Sequence, residues 1–256
     1  MHIDDELTVV VSGGASGLGE GVARHLAILG ARVGIFDLNE EDGQRVADEI
    51  GGAFAKVDVS DADSVDRGFE HVRGQLGQER VMVNCAGIAP GAKTVDREGN
   101  PHDAGLFAKT LGVNLIGSFN CASQSAAGMV KMDALSGDGE RGVIINTASV
   151  AAYEGQIGQI AYSASKGGIV GMTLPMARDL SRDGVRVLSI APGIFLTPMM
   201  QGFSQEVQDS LAENTPFPKR LGHPEDFAKL VEHIIINSML NGETIRLDGA
   251  VRLQPR

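Results

Sequence analysis

The sequence predicts an α/β fold: one domain built on a doubly wound parallel sheet with helices on both faces. Three observations carry this. Short β-branched runs alternate with helix-like segments along the chain, the pattern made by repeated strand–helix–strand units. Several of the runs are apolar at nearly every position, as strands buried on both faces must be. The first run also passes through a glycine-rich turn directly into a helix-like segment, in "SGGASGLGEGVARHL".

Taken in order, "LTVVVS" (7–12), "RVGIFD" (32–37), "AFAKVD" (53–58), "RVMVNCA" (80–86), "GVIINTAS" (142–149), "VRVLSIA" (185–191) and "TIRLDG" (244–249) read as strands. Gly30 and the pair Gly51-Gly52 stand where helix C-terminal stops belong. Segments 89–105 and 135–142 read as loops. Segment 193–205 mixes turn residues with Met and Phe. No internal repeat and no linker interrupts the pattern, so residues 1–256 are expected to form one domain.

The bulk properties bound the function. A chain of 256 residues suits one large α/β domain, and a domain of this size hides roughly 70–75% of its unfolded surface. The net charge of −11 argues against nucleic acid or an anionic membrane as the main partner, because phosphates reward positive charge. No apolar run approaches the ~20 residues that span a bilayer. Two cysteines, Cys85 and Cys121, make a disulfide framework improbable and point to a reducing compartment. The segment "MHIDDELTVVVSGG" enters a strand at once and resembles neither a secretory signal nor an arginine-rich transit peptide. The expectation is a cytoplasmic protein. The six histidines lack ligand spacing, and no metal site is expected.

Gly13, Gly17 and Gly19 give a G-x3-G-x-G spacing after the first strand. A turn of this kind lets backbone N–H groups approach a pyrophosphate at a helix N-terminus. A plain glycine-rich turn would look the same in isolation; the place in the first strand–helix unit favours nucleotide binding. Asp37 closes the second strand, where an acid can accept from adenosine ribose hydroxyls and repel a 2′-phosphate, which predicts NAD over NADP. It could instead cap the next helix, but Asn39 suits that role better. Asp58-Val59 is either a strand-end turn or a contact for the adenine amino group and ring. Asn84, if buried, needs backbone partners. Cys85 has no nearby histidine and reads as a small buried side chain beside the cofactor rather than a nucleophile.

In "AYSASKGGIV" Tyr162 and Lys166 share a helical face at i, i+4. An ammonium near a phenol favours the phenolate and lowers its pKa, so Tyr162 is expected to exchange a proton near neutral pH. Small neighbours leave room for a cofactor. Ser149, thirteen positions earlier, can hold a substrate carbonyl oxygen. Asn114 sits in a helix-like stretch, where asparagine is a poor former, which suggests a polar role such as holding a proton-relay water.

Together Gly13-x3-Gly17-x-Gly19, Asn84-Cys85-Ala86-Gly87, Asn114, Ser149, Tyr162-x3-Lys166 and Pro192-Gly193 resemble the short-chain dehydrogenase/reductase family over essentially the whole chain. The resemblance implies a Rossmann-like domain with Tyr162 as general acid/base. Lys166 would hold the nicotinamide ribose and lower the tyrosine pKa, Ser149 would orient substrate, and Asn114 would complete a proton relay. Stretches such as "IAPGIFLTPM", "PFPKRLG" and "NGETIRLDGAVR" are further similar to the type-2 3-hydroxyacyl-CoA dehydrogenase subgroup, which also acts on hydroxysteroids. That likeness implies NAD contacts at Ser16, Leu18, Asp37, Asp58, Val59, Cys85, Gly87, Pro192, Phe195 and Thr197, a substrate contact at Gln156, and a homotetramer. The implied substrate is an acyl-CoA or another secondary alcohol; a non-catalytic NAD-binding subunit would not need the four polar residues. Met199, Met200 and Phe203 read as an apolar lid, with core packing the alternative. Lys93, Lys219 and Arg220 read as solvated surface charges, with contacts to coenzyme A phosphates at the pocket mouth the alternative.

Overall fold

Residues 1–135, 137–202 and 204–255 are described in the computed structural model. Seven strands form one parallel sheet: β1 (Thr8–Ser12), β2 (Arg32–Asp37), β3 (Ala53–Lys56), β4 (Val81–Asn84), β5 (Gly142–Thr147), β6 (Val185–Pro192) and β7 (Thr244–Leu247). Their order across the sheet is β3-β2-β1-β4-β5-β6-β7. The predicted strands are all present; β3, β4, β5 and β7 stop two residues short of the expected ends. The chain leaves the sheet there to build loops.

Every residue of β1, β4, β5 and β6 is buried. Side chains alternate between two layers, as the pleat requires. Val9 and Val11 face one core with α1 (Gly17–Ile28), α2 (Glu40–Ile50) and α9 (Pro224–Ile236). Val10 faces the other with α3 (Ala62–Leu76), α5 (Gly117–Met129) and α6 (Ile160–Asp179). There Phe36 and Phe69 meet edge to face at 4.9 Å, a geometry that the ring quadrupoles favour. Asn39 caps α2 by accepting from the Asp42 N–H, which leaves Asp37 free of that duty. Gly51 is left-handed at the α2 C-terminus (φ 65°).

Arg186 interrupts the apolar run of β6. It is buried, reaches Glu140 at 2.8 Å and donates to the carbonyls of Ile234, Ile235 and Leu240. It therefore satisfies carbonyls at the end of α9, a buried charge held by an acid and by helix-end oxygens.

β1 pairs with both β2 and β4. The chain's first half winds away from β1 in one direction and its second half in the other. The crevice beyond the carboxyl ends of β1 and β4 is thus the topological switch point, where α/β sheets bind ligands. The 89–105 loop holds a short antiparallel bridge, Val95 to Pro101, and ends in α4 (Ala104–Leu111). The 193–205 loop carries α7 (Pro198–Gln201), followed by α8 (Gln205–Glu213). No helix among the described residues is long and apolar enough to cross a membrane.

Candidate active site

The glycine loop lies in that crevice. Gly13 is left-handed (φ 68°), and a Cβ there would stand 2.6 Å from the Ala86 nitrogen. Gly19 packs against the loop itself: its Cβ would meet the Gly13 carbonyl oxygen at 2.1 Å. These two glycines let the loop press onto the end of β4. Gly17, also left-handed (φ 56°), lies under Thr197 and Pro198 at the start of α7. Ser16 is exposed and extended just before α1. The first-turn N–H groups of a helix have no intrahelical partner, and a helix N-terminus of this kind suits an anion.

Asp37 accepts from the Ala15 N–H and the Asn39 N–H, each at 3.0 Å. A carboxylate has about four lone-pair sites, which leaves room for ribose hydroxyls. Asp58 accepts at Oδ1 from the Ser60 N–H and hydroxyl, and buried Val59 packs against Gly117. Asn84 is buried. Its amide donates to Asn146 Oδ1 at 2.9 Å and to the Ser118 carbonyl, and Ser12 donates to it. The expected backbone partner is the Ser118 carbonyl; the other two partners are side chains. Asn146, a polar residue inside the apolar run of β5, was the sequence signal for this pair. Burial pushes the Cys85 thiol up to about 11, which makes it inert as a nucleophile.

Ser149 stands just past β5 and accepts from the Ala151 N–H at 3.1 Å. Tyr162 and Lys166 lie on the first turns of α6, with Ser149 in hydrogen-bonding reach of the phenol. Asn114 lies in a π-helical turn, Gly112–Ile116, between α4 and α5, a feature common at functional sites. Its side chain clamps Ile88 through both N–H (2.8 Å) and carbonyl (2.9 Å) and reaches Ser165 Oγ at 3.0 Å. Gly87 is wedged beside it: a Cβ there would lie 3.2 Å from Asn114 Oδ1 and 3.8 Å from Lys166 Nζ. Ser165, read from sequence only as a small neighbour, ties Asn114 to Tyr162, because its hydroxyl also donates to the Tyr162 carbonyl.

One expectation is corrected. The Tyr162 pKa is raised, not lowered: burial dominates and the Ser149 hydrogen bond offsets only part of it. The reason is the direction of Lys166. Its ammonium donates to the Thr147 carbonyl at 2.6 Å and lies 5.7 Å from the centre of the tyrosine ring. Lys166 is itself buried, and burial lowers its pKa to about 8.

This has a stability consequence. An unfolded lysine holds its proton to about 10.4, so between about 8 and that value the unfolded chain binds more protons and stability rises with pH. Below about 8 the full cost of burying the charge is present, on the order of 3 kcal/mol. Lys166→Met should therefore raise Tm at pH 7 and remove the stability gain between pH 8 and 10, while lowering turnover. Thermal melts across pH check this; a lower Tm at pH 7 would mean that the Thr147 hydrogen bond outweighs the buried charge.

Gln156 and residues 92–95 line a cavity of ≈ 780 Å³ with Ile157, Ile160 and Ser163. Phe195 is buried and meets Phe227 edge to face at 6.4 Å, so its ring belongs to the core. Pro192 ends β6. Phe203 and the Met199 side chain lie outside the described residues. Arg220 is not a free surface charge: it pairs with Asp226 through both carboxylate oxygens at 2.6 and 3.0 Å. Among the described residues no cluster of three or more His, Cys, Asp or Glu could hold a metal.

A glycine-rich helix N-terminus at the switch point, with a serine, a tyrosine and a lysine at the same end of the sheet, fits a nucleotide-cofactor oxidoreductase of the Rossmann-like class. The chain belongs to the short-chain dehydrogenase family, whose model matches residues 7–208. It is 50% identical to the 3-hydroxyacyl-CoA dehydrogenase type-2 of Bos taurus over 252 residues, covering 97% of this chain and 96% of that one. The corresponding protein of Homo sapiens is 49% identical over the same span. A solved structure, 3-hydroxyacyl-CoA dehydrogenase type-2 from Mycobacterium avium, superposes with a TM-score of 0.93 at 42% identity, covering 99% and 98% of the two chains.

Proposed function

We propose that this oxidoreductase is NAD-dependent and interconverts 3-hydroxyacyl-CoA and 3-oxoacyl-CoA, with Tyr162 as general acid/base. The observations that carry the reading are the Ser149 hydroxyl close enough to the Tyr162 phenol to offset its raised pKa and the Lys166 ammonium 5.7 Å from the tyrosine ring, together with the relatives' names. When bound, a nicotinamide dinucleotide supplies the acceptor for the hydride lost from C3. Gly13, Ser16, Gly17, Leu18 and Gly19 would cradle its phosphates, and Asp37 its adenosine ribose. Asp58, Val59, Cys85 and Gly87 would line the crevice, and Lys166 would meet the second ribose. Pro192, Phe195 and Thr197 would close the opposite side, Phe195 through its main chain. The loop suits such a group because Gly13 and Gly19 allow it to pack tightly on its own backbone and on the end of β4, which presents the first-turn N–H groups of α1 to the crevice.

Ser149 and Tyr162 would grip the C3 oxygen, and Tyr162 would take its proton during oxidation and return it during reduction. The remaining selectivity falls to Gln156, as a thioester contact, and to apolar walls, which discriminate by roughly 1–3 kcal/mol per methylene. Some activity on branched acyl chains and on steroid alcohols is therefore expected.

Two rate comparisons test the reading. Acetoacetyl-CoA should exceed the same acyl group on cysteamine alone in kcat/KM by about tenfold or more, since remote binding can be used at the transition state. Equal values would remove CoA recognition and favour a hydroxysteroid or general secondary alcohol. NADH should be preferred to NADPH, and Asp37→Ala should narrow the gap by removing a ribose contact and a like-charge repulsion. A wild-type preference for NADPH would refute the role given to Asp37.

A further inference from the structure

After β7 the chain turns back and lies along the loop that carries Gln156. The turn is Asp248–Val251. Gly249 (φ 56°) and Ala250 (φ 68°) are both left-handed, and Asp248 closes the turn through the Val251 and Ala250 N–H groups. L side chains disfavour that region, so the surrounding contacts must impose it on Ala250.

Those contacts converge on Glu154. Its carboxylate takes both terminal nitrogens of Arg246 at 2.8 and 3.2 Å, Arg252 at 3.4 Å and the Leu253 N–H at 3.0 Å. Arg246 also donates to Asp248 at 2.7 Å and to the Val251 carbonyl, and its guanidinium lies over Tyr153 at 5.4 Å. Fastened in this way, residues 254 and 255 present their carbonyls to the loop. Gln254 accepts from Gln156 Nε2 at 3.0 Å, and Pro255 accepts from the Ile157 N–H at 3.1 Å. The Gln156 N–H in turn donates to Gln159 Oε1, and the Gln159 carbonyl accepts from the Ser163 N–H, beside Tyr162.

We propose that Glu154 is a positioning residue: it fastens residues 251–255 to the 153–158 loop, and that segment aims the Gln156 amide. The proposal rests on reading Gln156 as a substrate contact. Glu154 touches no reacting atom; its effect passes through the segment to the glutamine. Partly exposed ion pairs contribute little to stability singly, but a carboxylate holding a bidentate arginine and a main-chain N–H fixes direction.

With NADH present, Glu154→Ala should raise KM for acetoacetyl-CoA about tenfold with a smaller change in kcat, the mark of lost binding rather than lost chemistry. KM for NADH should not move. Hydrogen exchange over residues 153–159 should quicken, because the Ile157 N–H loses its acceptor. Adding Glu154→Ala to Gln156→Ala should raise KM no further, since residues acting through one contact are not additive. Effects that multiply, an unchanged KM, or unchanged exchange would each overturn the proposal. If the alanine variant does not fold, Glu154→Gln gives the same readings. It should raise KM about threefold in wild type and not at all beside Gln156→Ala; an equal rise in both would overturn the assignment. Failure of the acyl-CoA reading has a different signature: wild type would leave acetoacetyl-CoA unreduced. The exchange measurement then still decides the tether, and the same double-variant cycle is run on the carbonyl substrate that wild type reduces.

Discussion

Tyr162→Phe should lower kcat by about 10²–10⁴-fold, the usual contribution of a positioned acid/base, while NADH binding stays near wild type. The ring, its packing and the Lys166 contact with Thr147 survive the change; only the hydroxyl beside Ser149 is lost. Retention of more than about a tenth of kcat, a barrier change under ~1.4 kcal/mol, would end the acid/base role. The pH profile adds a sign. Burial raises the Tyr162 pKa in the free protein, so the neutral phenol prevails at pH 7 and is ready to donate a proton. Reduction of the 3-oxo compound should therefore proceed at neutral pH. Oxidation, which needs the tyrosine as base, should accelerate with rising pH. An oxidation rate that is flat between pH 7 and 10 would contradict that.

Gly13→Ala should impair folding and cofactor binding together. Two effects add at one atom. The residue is left-handed (φ 68°), which costs an L side chain roughly 1–2 kcal/mol. The new methyl would also stand 2.6 Å from the Ala86 nitrogen and 2.9 Å from the Cys85 carbonyl carbon, all backbone. No rotamer change can relieve that clash, and overpacking costs typically 1–3 kcal/mol. Urea unfolding should show a loss of about 2–5 kcal/mol from the two together. NADH affinity should fall as the loop lifts from β4. Gly51→Ala is the control. It is left-handed too, but a Cβ there meets nothing within 4 Å, so only the conformational cost remains. Equal losses at the two positions would show that the close approach to β4 does not matter.

Much of the molecule was legible before any fold was known. The inner strands β1, β4, β5 and β6 follow from runs of mostly apolar residues, because burial on both faces demands them locally, and the outer strands follow from shorter β-branched or aromatic runs. The glycine spacing marked the tight turn between β1 and α1, since Gly13 and Gly17 are left-handed and Gly13 and Gly19 pack against backbone. Asn39 marked the start of α2 by its position before three acids. Tyr162 and Lys166 were placed on one face by helical periodicity alone. Several polar partners were not legible, because each depends on residues far apart in the chain. Asn114 looked like a misfit in a helix. The π-helical turn explains it, and its partners Ile88 and Ser165 lie 26 and 51 positions away.

The sequence by itself determined the parallel sheet and the strands and turns that build it, because periodicity and turn chemistry are read over a few residues. Only the tertiary structure decided the electrostatics. The i, i+4 spacing put an ammonium beside a phenol, yet the Thr147 carbonyl at the end of β5 draws Lys166 aside, and burial then raises one pKa and lowers the other. Glu154 likewise looks like any loop acid until Arg246, 92 positions away, arrives from β7. Desolvation and long-range ion pairing depend on what the whole fold brings near a group, and no local pattern encodes that.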